Sequence, residues 1–355
     1  MENKRFQNQI SWLMFFFSIL VIWVHSYNVE LFAGPSWGPA WDRAAVIETF
    51  WSIGVGQIAV PGFFLLSSYL FFRNFALNKL TAKWKSRFFS VVIPYTVWNL
   101  LYYLGYVIAT RLPMVERVVG KDPIPFTIEE TLRAVLHYGY APVFWYLYQL
   151  IILLVLAPAV YVFVKNKVVG ACYLAVLAAA IYLRMDTGHP NTDALFYFSF
   201  AAYAAVHMRS WLETKGTSDR VMSGVAVMII AIFCYGTMKI PGANVMWTIM
   251  YRLLMPVSLF LMTSSVEMPE TRPWMRQSLF LYAIHFIIVR FMNKGAALAL
   301  DGVLPEEMMD SAALGIYFLI PVVVVLVSYW MAKLLGHYMP LVWRVLSGGR
   351  SLNGK

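Results

Sequence analysis

Charge is scarce in this sequence. Asp, Glu, Lys and Arg make up 13% of its 355 residues, about half the share of an average soluble domain. Hydrophobic residues make up 60%, and a chain of that balance is not a water-soluble globular domain. Cysteine is nearly missing as well. Cys172 and Cys234 stand alone inside apolar runs, which argues against a disulfide framework or a thiolate metal site. The apolar runs hold no mid-span Asp or Glu; Glu48, near the start of the second run, comes closest. There is no strand-like alternation, which argues against a membrane barrel, and no low-complexity tract or internal repeat. The first run has no small-x-small cleavage pattern, so it is expected to stay as a span rather than leave as a signal peptide.

What the chain has is apolar length. Ten runs, 10–29, 46–72, 88–110, 143–164, 168–185, 192–208, 221–239, 245–263, 274–293 and 312–335, approach the roughly 20 residues that cross a bilayer as a helix. A backbone in lipid must satisfy its own hydrogen bonds, so these runs are predicted to be helices. The expected fold is all-α, a polytopic membrane helix bundle of about ten transmembrane helices in a single domain over residues 1–355. Lys and Arg gather in alternate connections, above all Arg73, Lys79, Lys83, Lys85 and Arg87, which places both termini in the cytoplasm. That bias accounts for the net charge of +10 without nucleic acid, and membrane lipids are the expected surroundings. The 13 Trp and 17% aromatic content suit interfacial belts. The longest polar stretch, about 111–142, carries Pro113, Pro123, Pro125 and Pro142; it reads equally as a lid or a plain connector.

Ionisable groups inside membrane spans are costly and mark function or a partner. Here they are His25, Arg252, His285 and Arg290, with Glu48 at the margin. Histidine titrates near neutrality and can take and return a proton. Ser11, Ser18 and His25 recur every seven residues, so they share a helix face that Asn28 extends. Ser278, Tyr282 and His285 share another; Gln57 and Ser68 lie on a third; Trp145, Tyr148 and Gln149 cluster on a fourth. Such faces are expected to turn inward, lining a cavity to which Tyr27 and Glu48 also contribute. Glu48, Tyr27 or Asn28 is placed to orient His25. His25 falls toward the outer leaflet, about 22 Å along from Ile10, and His285 nearer the midplane, so their depths are expected to differ. Arg252 and Arg290 should escape lipid by pairing with carbonyls or reaching the interface. The cluster Lys79, Lys83, Lys85 and Arg87 is either positive-inside anchoring or a dock for a polyanion.

These features together resemble the acyltransferase 3 family of bacterial integral membrane acyltransferases over nearly the whole chain. The resemblance rests on His25-Ser-Tyr-Asn28, Ala59-Val-Pro-Gly-Phe-Phe-Leu-Leu-Ser-Ser-Tyr-Leu-Phe-Phe72, Lys85-Ser-Arg-Phe-Phe-Ser-Val-Val-Ile-Pro-Tyr95 with Trp98-Asn99, Phe144-Trp-Tyr-Leu-Tyr148 and Tyr282-Ala-Ile-His285. It implies transfer of an acyl group, usually acetyl, from cytoplasmic acyl-CoA to a hydroxyl of a cell-surface or periplasmic glycan, in the cytoplasmic (inner) membrane. It implies no permanently bound cofactor, with acetyl-CoA or another acyl-CoA as donor substrate. It assigns catalysis to His25 and the acyl-donor side to Arg87, with Lys83, Lys85 and Ser90 around it. Two positions depart from the pattern. Ser90 stands where the family often has a second Arg, leaving Lys83 or Lys85 to substitute, and Ser67-Ser68-Tyr69 stands where Ser-Gly-Tyr is usual. In this reading His25 is either a general base or a transient acyl carrier. The rival reading is a proton-coupled secondary transporter relaying protons between His25 and His285. The missing mid-span carboxylates and inverted repeats count against it.

Overall fold

The computed structural model describes residues 2–33, 39–113 and 122–350. Their regular structure is entirely helical. Among the described residues, eight helices are long and apolar enough to cross a membrane: 4–33, 41–72, 77–109, 142–164, 218–238, 245–263, 278–300 and 307–338. They account for eight of the ten expected runs and make the chain a polytopic membrane protein. The other two runs form shorter helices, Lys167–Tyr182 and Thr192–His207, of 16 residues each. At 1.5 Å per residue each is about 24 Å long, short of the roughly 30 Å hydrocarbon core. The first of them is cut off by identifiable residues. Asn166 caps its start by accepting from the Val168 and Val169 N–H groups at 2.9 and 3.1 Å. Beyond its end, Arg184 takes a left-handed φ of 57°.

The helices divide into two compact units. One comprises residues 1–17, 57–86 and 149–276. Its helices Ser218–Met238 and Val245–Thr263 form an antiparallel hairpin. A tight turn at Pro241-Gly242 joins them, with Gly242 at φ 81°. Glu213 gathers the charges of this unit. It takes Arg73 through two parallel bonds of 2.8 and 2.7 Å, Arg209 at 3.1 Å and the Tyr69 hydroxyl at 3.1 Å. Gly62 is a close-approach position: a Cβ built there would lie 2.4 Å from the buried Phe17 ring. Gly62→Ala is therefore expected to cost about 1–3 kcal/mol by overpacking. Thermal unfolding of the detergent-solubilised variant checks it, and an unchanged midpoint would contradict the expectation.

The second unit comprises residues 18–56, 87–148 and 277–355. Both of its entering spans widen locally into π-helix, at Phe50–Val55 and Phe88–Val92; such turns recur at functional sites. Ser52 in the first donates to the Trp23 carbonyl at 3.0 Å and meets the Tyr317 hydroxyl at 2.9 Å. The polar stretch after the third span holds a helix of its own, Ile128–Leu136. Thr127 caps this helix, and the Tyr103 hydroxyl, bonded to the Pro125 carbonyl at 2.8 Å, anchors it. Residues 114–121 of that stretch lie outside the described residues. The C-terminal helix Pro340–Leu346 is docked rather than trailing: Trp343 and Leu346 are buried, and the Trp98 indole donates to the Leu346 carbonyl at 3.1 Å.

Candidate active site

His25 stands in the last turn of the first helix, Glu2–Ser26. The helix stops there because Glu48 captures the next backbone groups. Its Oε2 accepts from the N–H of Asn28 at 2.9 Å and of Val29 at 3.3 Å, capping the short helix Val29–Ala33 that follows. Glu48 is completely buried. It was expected to orient His25; the structure corrects this, because its carboxylate is bonded to backbone and sets the break after the histidine. Glu48→Ala would leave two buried N–H groups without an acceptor. The expected cost is roughly 1–3 kcal/mol for each, while Glu48→Gln, which keeps an oxygen, recovers part of it. Thermal unfolding of the two variants distinguishes these outcomes.

Asn28 fixes the break from its other side. Its amide donates to Asn293 Oδ1 and to the Ala313 carbonyl, each at 3.2 Å. The Asn293 amide donates to the Ser26 carbonyl at 3.1 Å. This reciprocal bridge pins the end of the first helix to helix Ser278–Leu300. Asn293 lies eight residues beyond His285, about two turns further along that helix. The same two helices consequently bring the histidines together: the His25 and His285 rings are 5.2 Å apart at 43°, and Phe286 stands edge-on to His25 at 5.5 Å. The expected difference in depth is thus corrected. Rings 5.2 Å apart cannot differ in depth by more than that distance, whereas rise counted along each helix separately ignores how the two helices pack. Tyr27 packs into the apolar cluster around Val29, Phe32, Trp41 and Ala313.

The two histidines are held differently. His285 is fully buried, and its Nδ1–H donates to the Tyr282 carbonyl. A carbonyl only accepts, so the proton is on Nδ1 and Nε2 carries a bare lone pair. That Nε2 has no partner among the described residues. The segment around it is braced: the Tyr282 hydroxyl donates to the Val143 carbonyl, and the Tyr102 hydroxyl to the Ala283 carbonyl at 2.8 Å. His25 is half-buried and makes no hydrogen bond to a described residue. One imidazole is therefore locked with its lone pair exposed to its surroundings, and the other is untethered beside it. This arrangement can accept a proton or present a nucleophilic nitrogen.

The remaining predicted residues separate into those in the unit of His25 and those employed elsewhere. Arg290 donates to the Tyr106 hydroxyl at 3.0 Å and lies over the Phe286 ring at 5.6 Å. Arg252 donates to the Gln57 side-chain carbonyl, a carbonyl partner of the kind expected, whereas the partner of Arg290 is a hydroxyl. Trp145 and Tyr148 are half-buried, and the Tyr148 ring packs on Tyr138 at 5.4 Å. It is their neighbour Tyr146 that is buried, edge-on to Tyr282 at 5.8 Å. Ser68 was expected at a cavity wall; instead its hydroxyl donates to the Phe198 carbonyl at 2.5 Å and ties two helices of the other unit. Lys83 was expected at the donor side. Its ammonium instead donates to the Phe71 carbonyl at 2.5 Å and the Arg73 carbonyl at 3.2 Å, closing the end of helix Ala59–Phe72. Lys85 is exposed, while Arg87 and Ser90 are half-buried.

Residues the sequence reading passed over include Asn293, Tyr146 and Arg350. A signal existed for Asn293, since it continues the face of Ser278, Tyr282 and His285. Arg350 joins that face from outside the helix, donating to the Ser278 hydroxyl at 2.8 Å.

Fold and site define a multi-pass membrane protein in which two histidine rings pair beside the end of the first helix. The family model described as an acyltransferase domain, that of acyltransferase 3, matches residues 7–333. The chain belongs to that family and is a membrane acyltransferase. No curated protein and no solved structure matches it.

Proposed function

We propose that this acyltransferase moves an acyl group, acetyl in the first instance, from cytoplasmic acyl-CoA to a hydroxyl of a cell-surface or periplasmic glycan, acting from the cytoplasmic membrane. The observation that carries the reading is the pairing of His25 with His285, whose tautomer the Tyr282 carbonyl fixes. A sugar hydroxyl is a weak nucleophile, and a base within reach of its proton accelerates attack by about 10²–10⁴-fold. In direct transfer, His25 takes the hydroxyl proton as the new acyl C–O bond forms and the thioester C–S bond breaks. The departing thiolate then receives the proton. In the two-step form, a His25 nitrogen takes the acyl group as the C–S bond breaks and the thiolate leaves; the hydroxyl then attacks, the acyl C–N bond breaks, and the hydroxyl proton ends on the freed imidazole. His285 stands beside the reacting ring as its neighbour in either route.

The test uses the full chain in lipid nanodiscs, supplied with acetyl-CoA and a glycan preparation. The expected result is release of free CoA together with a glycan gaining the mass of one acetyl group. The same glycans, compared by mass spectrometry between cells with and without the protein, should differ by that group. CoA release without any acylated acceptor would restrict the activity to hydrolysis, and unchanged glycans would overturn the assignment of acceptor.

A further inference from the structure

We propose that Arg350, carried by the turn that follows the last helix, joins Arg87 in a two-arginine receptor for the phosphate groups of the acyl donor. The identity of the ligand rests on the donor reading above; the pairing of the two arginines does not.

The turn is built for close docking. Gly348 and Gly349 follow each other at φ 68° and 82°, a backbone path that side chains with a Cβ resist. Gly348 is pressed onto the third span: a Cβ built on it would lie 2.6 Å from the Ser90 carbonyl oxygen. Ser90 is three residues beyond Arg87, inside the π-helical turn Phe88–Val92. The turn is also held at its far end. The Trp343 indole and the Ser347 hydroxyl both donate to the Arg350 carbonyl, at 3.1 and 3.2 Å. Arg350 Nη1 donates to Ser278 Oγ at 2.8 Å. The guanidinium therefore sits on the helix that carries Tyr282 and His285, beside the start of the third span.

Two like charges share this place. Burial, and after it the nearby Arg87 charge, push the Arg350 guanidinium down to about 10, so it remains a cation at neutral pH. Among the described residues no carboxylate is within ion-pair distance of Arg87. Bringing two guanidinium groups together away from bulk water is unfavourable unless an anion joins them. Their planar donor forks suit phosphate oxygens, which accept in pairs. A coenzyme A molecule presents several such groups at the end opposite its thioester. The third span and helix Ser278–Leu300 then link the receptor to the histidine pair.

Calorimetry on the full chain in zwitterionic nanodiscs, with coenzyme A as the probe, tests this. Arg350→Ala and Arg87→Ala should each weaken binding at least about tenfold, and in each the dependence of affinity on salt should flatten. Arg350→Gln, which can still bond Ser278 but carries no charge, serves if the alanine variant fails to fold, and the same loss is expected. Wild-type affinity in a folded Arg350→Ala or Arg350→Gln protein overturns the proposal, whatever Arg87→Ala does. Inorganic pyrophosphate is the second probe. If it binds with the same arginine dependence while coenzyme A does not, the receptor stands and the donor reading fails. If neither binds, the receptor is overturned. Retention of coenzyme A binding by the Arg350 variants together with weakened association of those variants with anionic lipid would make the occupant a lipid headgroup and overturn the proposal.

Discussion

His25→Ala lowers acyl transfer by at least about 10²-fold, the loss expected when a base or acyl-accepting nitrogen is removed, while the protein still inserts and folds. Both halves of this expectation come from the environment of His25. The ring is half-buried and makes no hydrogen bond to a described residue, so its removal strands no buried partner. The break after it is held by Glu48, Asn28 and Asn293 rather than by the imidazole. Turnover and thermal unfolding measured on the same preparation decide the matter. Near-normal turnover would remove His25 from the chemistry, and a collapsed midpoint would reassign it to packing. Trapping an acylated His25 by rapid quench and mass spectrometry would select the two-step route over direct transfer.

The second large effect is expected at His285, which the proposed mechanism makes a positioning residue acting through His25. His285→Phe fills the same buried space but removes both the bond to Tyr282 and the Nε2 lone pair. Turnover should fall roughly 10²-fold, with little change in KM for the acyl donor. His285→Gln keeps a donor for the Tyr282 carbonyl and supplies an amide oxygen as acceptor, so it should recover part of kcat. A purely structural role predicts another pattern: both variants lose thermal stability together, and the Gln variant gains no turnover over the Phe variant.

Much of the architecture was readable from apolar length, because a bilayer imposes one length and one backbone solution on every span. Apolar length is a poorer guide to where a helix ends, and so 168–185 and 192–208 were read slightly longer than the 16-residue helices found there. Helical spacing also placed Ser278, Tyr282 and His285 on one face correctly, since periodicity operates within a single element. It could not show which element each face meets. Glu48 looked like a partner for His25 because both are rare ionisable groups, yet it accepts backbone N–H groups that any sequence would supply. Lys83 belonged to a basic cluster that suggested an anion site, but a helix end with unbonded carbonyls was closer. Arg350 was invisible for the opposite reason: it lies beyond the last span, and its partner Ser278 is 72 residues away.

The Asn28–Asn293 bridge joins positions 265 residues apart, and this separation bears on biogenesis. At synthesis rates of about 5–20 residues per second, the second asparagine leaves the ribosome on the order of tens of seconds after the first. During that interval the end of the first helix is made but its amide partners are not. A polar amide without a partner is unfavourable in hydrocarbon, which favours holding the nascent His25 end at the interface until helix Ser278–Leu300 arrives. The His25 imidazole is thereby brought beside His285 only when most of the chain has been made, so truncated translation products carry His25 without its companion.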